Sequence, residues 1–129
     1  KRIMMPNSKF MIHYGYDGRY GHSKIFEKWA DEGKRVNYQM ENIYLDAMLD
    51  KEEKVGNGNL SKVLSSIMSK QRSLEIPNPG DIVYKFSKSP SAKREETRGV
   101  LKEMLNFDTI LNAEETVELG LADEVFKRD

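Results

Sequence analysis

The sequence predicts an α/β fold, and three observations carry that prediction. Phe10, Met11, Ile12 and Tyr14 form a short apolar run of strand-forming residues between a Pro6-Asn7-Ser8 turn and a glycine-rich stretch. Apolar residues then recur at helical spacing over about 23–54, 60–72, 95–105 and 113–119. Two further short segments, 81–86 and 121–126, have strand character and are interleaved with those helices. Alternation of this kind points to helices packed on a sheet, not to separate helical and strand blocks.

The chain has 129 residues, enough for one domain. Lys+Arg and Asp+Glu are both 21, so the formal net charge is zero, which argues against a protein that tracks phosphate backbones. There is no cysteine, so disulfides, cysteine-bound zinc and thiol catalysis are excluded. No apolar run is long enough to span a bilayer and no signal peptide is visible, so a cytoplasmic protein without a membrane partner is expected. Hydrophobic residues make up 38% and mean hydropathy is −0.70, which predicts a thin core that leans on a partner or on more chain. The start at Lys1-Arg2-Ile3 reads as the middle of a longer protein.

Taken in order, the continuous run 10–14 predicts a strand buried on both faces. Residues 15–21, GYDGRYG, have the glycine density of irregular or close-approach backbone. A long helix follows, with Ile25, Phe26, Trp29, Val36, Met40, Ile43, Tyr44, Ala47 and Met48 on one broad stripe. It is long for a small domain and needs a packing surface beyond it. Gly56-Asn57-Gly58-Asn59 stops it. Leu60, Val63, Leu64, Ile67 and Met68 define the apolar side of the next helix. Pro77–Gly80 is a turn, 81–86 a short strand, and 87–93 a polar, mobile connection. Val100, Leu101, Met104 and Leu105 face the core from a helix over 95–105, and 107–111 is a connector. Asn112 with Glu115 has the spacing of a capping box, and Gly120 suits the left-handed residue that ends the helix. The seven methionines are spread over core faces, and Lys34-Arg35 and Lys93-Arg94 read as solvated.

Candidate chemistry is confined to few residues. His13 ends a strand at a glycine loop, a position that reaches a cleft, and histidine is suited to proton transfer near neutrality. The plainer reading is a half-buried histidine with one satisfied hydrogen bond. His13, Asp17 and His22 do not have a recognised zinc spacing, and no metal or other cofactor is expected. Asp108 stands in an apolar segment, where a carboxylate needs a partner. It either orients a histidine or accepts backbone N–H bonds in a loop.

Two segments, MPNSKFMIHYGYDGRYG (5–21) and NFDTILNAEETVELGLADEV (106–125), together resemble the Clp protease proteolytic subunit (ClpP) family. The shared pattern is Met-Pro-Asn-Ser, a strand, Met-Ile-His, a glycine-rich stretch and a long helix. An aspartate, a capped helix and a final strand follow. The match covers about two thirds of the chain and the C-terminal half of that family's domain. The resemblance implies a ClpP/crotonase-like spiral of strand–strand–helix units with a protruding handle helix. It implies a handle strand and helix over about 14–55, an atypical insertion over 56–98, and an aspartate segment with its helix and strand over 99–126. His13 would be the general base and Asp108 the acid that orients it. Tyr14, Gly15, Tyr16, Asp17 and Gly18 would pair through backbone with extended polypeptide substrate. The nucleophilic serine and the oxyanion-hole glycines would lie upstream of Lys1; Ser8 belongs to the turn. Self-association into stacked rings and an ATP-driven unfoldase partner are implied as well.

Within that resemblance, the length of 56–98, and Gly15 where the family commonly has proline after His-Gln, suggest a divergent member of phage or prophage type. Other readings stay open: a non-catalytic ring subunit, a phage head-maturation protease, and a crotonase-like acyl-CoA enzyme.

Overall fold

A computed structural model describes residues 1–14, 24–56, 58–77 and 80–127, with side chains in the long helix from residue 31 onward. The element order is β1 (Ile3–Met4), β2 (Lys9–Ile12), α1 (Lys24–Val55), α2 (Asn59–Glu75), α3 (Pro90–Asn106), β3 (Thr109–Asn112), α4 (Ala113–Glu118) and β4 (Glu124–Val125). Helix and strand are mixed as the alternating pattern predicts. No helix among the described residues is long and apolar enough to cross a membrane.

The strands form two pairs. β1 runs parallel to β4, with Ile3 opposite Glu124 and Met4 opposite Val125. Arg2 ties that pair down: its backbone N–H donates to the Asp123 carboxylate at 2.6 Å and its guanidinium does so at 3.2 Å. These bonds hold the Asp123 carboxyl down at about 2. A turn at Pro6-Asn7, closed by Ser8 N–H on the Met5 carbonyl at 2.9 Å, leads into β2. β2 then pairs antiparallel with β3, from Lys9 opposite Asn112 to Ile12 opposite Thr109. The expectation of burial on both faces is corrected here. Phe10 and Ile12 point inward, while Met11 and its cross-strand partner Ile110 are 50% and 56% exposed, the alternation of a one-sided sheet.

α1 is one continuous helix, about 48 Å long at 1.5 Å per residue. Its buried face over the second half is Glu41, Leu45, Met48 and Glu52, spaced i, i+4, i+7, i+11. Val36 and Ile43, expected on the core stripe, are 38% and 69% exposed; Leu45, absent from that stripe, is fully buried. The true stripe is rotated because α3 supplies charged partners for the two buried acids. Arg98 meets Glu41 at 2.9 Å and Lys93 meets Glu52 at 3.1 Å, with Arg94 reaching Asp46 at 2.8 Å between them. Rising positions on α1 meet falling positions on α3, so the two helices are antiparallel. Lys93-Arg94 is therefore an inter-helix clamp and not a solvated face.

Gly56, at φ 119°, ends α1. α2 starts without a side-chain cap of its own at Gly58. Glu52 supplies one from the preceding helix: its Oε1 accepts from Gly58 N–H and Leu60 N–H, both at 3.2 Å. The five apolar residues expected on α2 are all buried.

The segment 81–86 is extended but is not a strand, because among the described residues no strand pairs with it. Serine hydroxyls on α2, at i, i+4 and i+8, take the place of a ladder. Ser61 donates to the Tyr84 carbonyl, Ser65 accepts from Tyr84 N–H at 2.8 Å, and Ser69 accepts from Ile82 N–H at 2.9 Å. Ile82, Tyr84 and Phe86 are half-buried against the core and Val83 is exposed. The polar connection 87–93 is also more structured than expected. α3 begins at Pro90, and the Glu96 carboxylate holds Ser87 through its N–H at 2.7 Å and its hydroxyl at 2.6 Å. Proline at the first helical position carries φ already set for helix.

The stretch expected as a connector, 107–111, supplies β3. α4 follows with the anticipated capping box: Glu115 N–H on Asn112 Oδ1 at 2.8 Å and Asn112 N–H on Glu115 Oε1 at 2.9 Å. It ends in a Schellman motif, Gly120 N–H on Val117 O and Leu121 N–H on Thr116 O, each 3.0 Å. Gly120 has φ 85°, and a Cβ there would lie 2.7 Å from the Ala47 carbonyl, so a glycine lets the end of α4 press against α1. Leu60, Leu64, Leu101, Met104, Leu105, Leu111 and Leu119 fill the core between these elements. Met5 and Met11, by contrast with Met48, Met68 and Met104, lie at the surface.

Candidate functional site

β2 and β3 converge on the two residues singled out from sequence. Each pair in their ladder sums to the same register, and Ile12 opposite Thr109 is the last. His13 directly follows Ile12 and Asp108 directly precedes Thr109, so both adjoin that last pair. A histidine and a carboxylate from distant parts of the chain thus share one end of one small sheet.

Local backbone explains how Asp108 gets there. α3 ends at Asn106, Phe107 caps it with N–H on the Glu103 carbonyl, and Asp108 adopts φ 49°. That left-handed residue reverses the chain from helix into strand, and aspartate tolerates it better than most side chains. The next residue locks the turn: the buried Thr109 hydroxyl lies 2.9 Å from Gln71 Oε1 and 3.0 Å from the Met104 carbonyl. Asp108 itself is exposed, so it bears no burial cost. Beside it runs an open groove of about 250 Å³ between α2 and β3, lined among others by Ile67, Gln71, Leu74, Ile110 and Glu115.

His13 is exposed, not half-buried. Its Nδ1 lies 3.0 Å from the Tyr14 carbonyl oxygen. Among the described residues no hydrogen bond joins it to Asp108. With Nδ1–H donating to that carbonyl, Nε2 is left as the basic nitrogen facing outward.

Tyr14 is held firmly by groups that sequence reading did not single out. Its hydroxyl donates to Glu41 Oε2 at 3.1 Å. Glu41 is 4% exposed, and its other oxygen accepts from Arg98 Nη1 at 2.9 Å. Arg98 is itself buried, donates through Nη2 to Asn42 Oδ1 at 2.6 Å, and lies 4.7 Å over the Tyr38 ring. Partial burial, and then the Glu41 charge and hydrogen bond, push the Tyr14 hydroxyl up to about 12. A signal for this network was present. Glu41 sits on the helical face of Leu45 and Met48, and an acid on an apolar stripe asks for a cation. Arg98, two residues before Val100-Leu101, is that cation.

Gly15, Tyr16, Asp17, Gly18 and His22 lie outside the described residues, so the backbone pairing expected of 15–18 and the His13/Asp17/His22 grouping have no geometry here. No protein-family model matches this chain, and no curated protein matches it.

Proposed function

We propose that this chain is the C-terminal part of a ClpP-like serine endopeptidase subunit, with its nucleophilic serine preceding Lys1. The observation that carries the reading is the β2–β3 ladder, whose last pair is Ile12 with Thr109, so that His13 and Asp108 adjoin the same end of one sheet although 95 positions separate them. In the proposed reaction His13 Nε2 takes the proton of the serine hydroxyl as it attacks a peptide carbonyl, then returns it to the leaving amine. Asp108 stabilises the imidazolium formed between those steps. The acyl-enzyme is released by water activated on the same nitrogen. The spiral of strand–strand–helix units, the protruding handle and stacked rings belong to the same proposal. The mixed helix-and-strand order is compatible with the first of these at the level of an α/β fold. The outward Val36 and Ile43 on α1 support contact with a further surface.

Among the described residues His13 makes no hydrogen bond to Asp108, which favours a second reading, a ring subunit that retains the two residues without using them. A fluorophosphonate probe on the full-length protein separates the two. The peptidase reading expects covalent serine labelling that His13→Ala abolishes and Asp108→Asn slows at least tenfold. An assembled, folded wild-type protein that takes no label rejects it.

A further inference from the structure

We infer that Tyr14, Glu41 and Arg98 form a positioning relay for His13, a role that rests on the peptidase reading for its catalytic consequence but not for its geometry. The sequence of contacts is continuous. Arg98 on α3 fixes Glu41 on α1 at 2.9 Å, Glu41 fixes the Tyr14 hydroxyl at 3.1 Å, and the carbonyl of the same Tyr14 stands 3.0 Å from His13 Nδ1. Arg98 and Glu41 are both buried, 6% and 4% exposed, so the anchor is set in the helix layer and not in solvent. Two further bonds hold the anchor: Arg98 to Asn42 at 2.6 Å, and Arg94 to the same Asn42 oxygen at 3.3 Å.

The consequence is chemical. Residue 14 follows the end of β2, beyond the last ladder pair, so the ladder itself does not restrain rotation of its peptide. Gripping the tyrosine tip limits that rotation and keeps its carbonyl aimed at His13. A fixed acceptor at Nδ1 selects the neutral tautomer with the proton on Nδ1, the reverse of the form free imidazole prefers, and leaves Nε2 as base. The carbonyl thereby does in the resting chain what a carboxylate does in a Ser–His–Asp triad, and Asp108 is left to answer the charge that develops on the ring. Tyr14, Glu41 and Arg98 touch no reacting atom; they are positioning residues.

The test uses the full-length protein with ¹⁵N-labelled histidine, the His13 signals being identified by their loss in His13→Gln. Neutral His13 in the wild type is expected as the Nδ1–H tautomer. Tyr14→Phe, which keeps the ring, and Glu41→Gln are expected to shift it toward a mixture. Asp46→Asn, which weakens the same α1–α3 clamp without touching Tyr14, is expected to leave it unchanged. A wild-type His13 with its proton on Nε2, or one whose tautomer is the same in Tyr14→Phe, overturns the relay. Fluorophosphonate labelling adds the catalytic arm: about a fivefold slower rate in Tyr14→Phe, measured well below its melting temperature, is expected, and an unchanged rate overturns the positioning role. Absence of wild-type labelling rejects the peptidase reading alone, since the tautomer measurement still decides the relay.

Discussion

Asp108 does two separable jobs. In the proposed peptidase it supplies the carboxylate that answers charge on His13, and it occupies the left-handed position that turns α3 into β3. Glycine meets the second need and not the first; alanine meets neither. Asp108→Gly is therefore expected to keep the stability of the wild type, and Asp108→Ala to lose about 1 kcal/mol from the left-handed backbone. Urea unfolding of the two variants checks this. If both prove equally stable, the strain argument at this position is wrong. The comparison also shows which substitution cleanly reports on the carboxylate: Asp108→Asn, because asparagine tolerates the same backbone. Gly120 is the complementary case, where the constraint comes from space as well as φ, since the Ala47 carbonyl leaves no room for a Cβ.

Among the elements, α2 has an unusual division of faces. One side carries Leu60, Val63, Leu64, Ile67 and Met68 into the core, and a serine stripe grips the extended segment that returns toward α3. Buried backbone groups must find partners, and here side-chain hydroxyls supply them where a sheet would supply carbonyls and amides. Ser65→Ala is expected to leave the Tyr84 N–H unpaired at a cost of about 1 kcal/mol. It should raise amide exchange at Tyr84 about fivefold, with Leu101 in the core unaffected. Unchanged exchange at Tyr84 would mean that the half-buried Ile82, Tyr84 and Phe86 side chains hold this segment without the serines. The same element shows why its N-terminus tolerates glycines: the capping oxygen arrives from Glu52, so Gly58 serves the turn alone.

At the scale of the molecule, the α1–α3 contact is an apolar centre bracketed by charge. Glu41–Arg98 closes one end and Glu52–Lys93 the other. Removing one member of a buried pair strands the other, which costs about 3–5 kcal/mol, whereas replacing both with apolar residues is often neutral. Arg98→Met is thus expected to lower the urea midpoint sharply. Adding Glu41→Leu and Tyr14→Phe, which removes the groups left unpaired, should restore most of the loss. A triple variant no more stable than Arg98→Met would show that the network contributes net stability by itself. Either result leaves the antiparallel packing of α1 on α3 as the frame that brings the residue after His13 under the control of a helix near the opposite strand.

By itself the sequence determined whatever rests on local periodicity and local chemistry. The five-residue apolar face of α2, the four core residues of α3, the stop at Gly56, the Asn112–Glu115 capping box and the left-handed Gly120 all depend on neighbours within a few positions. Those neighbours are written in the chain. His13 stood out as a titratable residue ending a strand at a glycine loop and Asp108 as a carboxylate in an apolar segment, and only the family resemblance gave the two a joint role. The tertiary structure decided what depends on distant partners. The face of α1 was misjudged because Glu41 and Glu52 are buried against cations some 40–57 positions away, so Leu45 turned inward and Ile43 outward. Segment 81–86 reads as a strand because its side chains alternate, but a strand is made by a neighbouring backbone, and α2 offers serines instead. That His13 and Asp108 adjoin one end of the same two-stranded sheet is a matter of register, and register is set only when two strands meet.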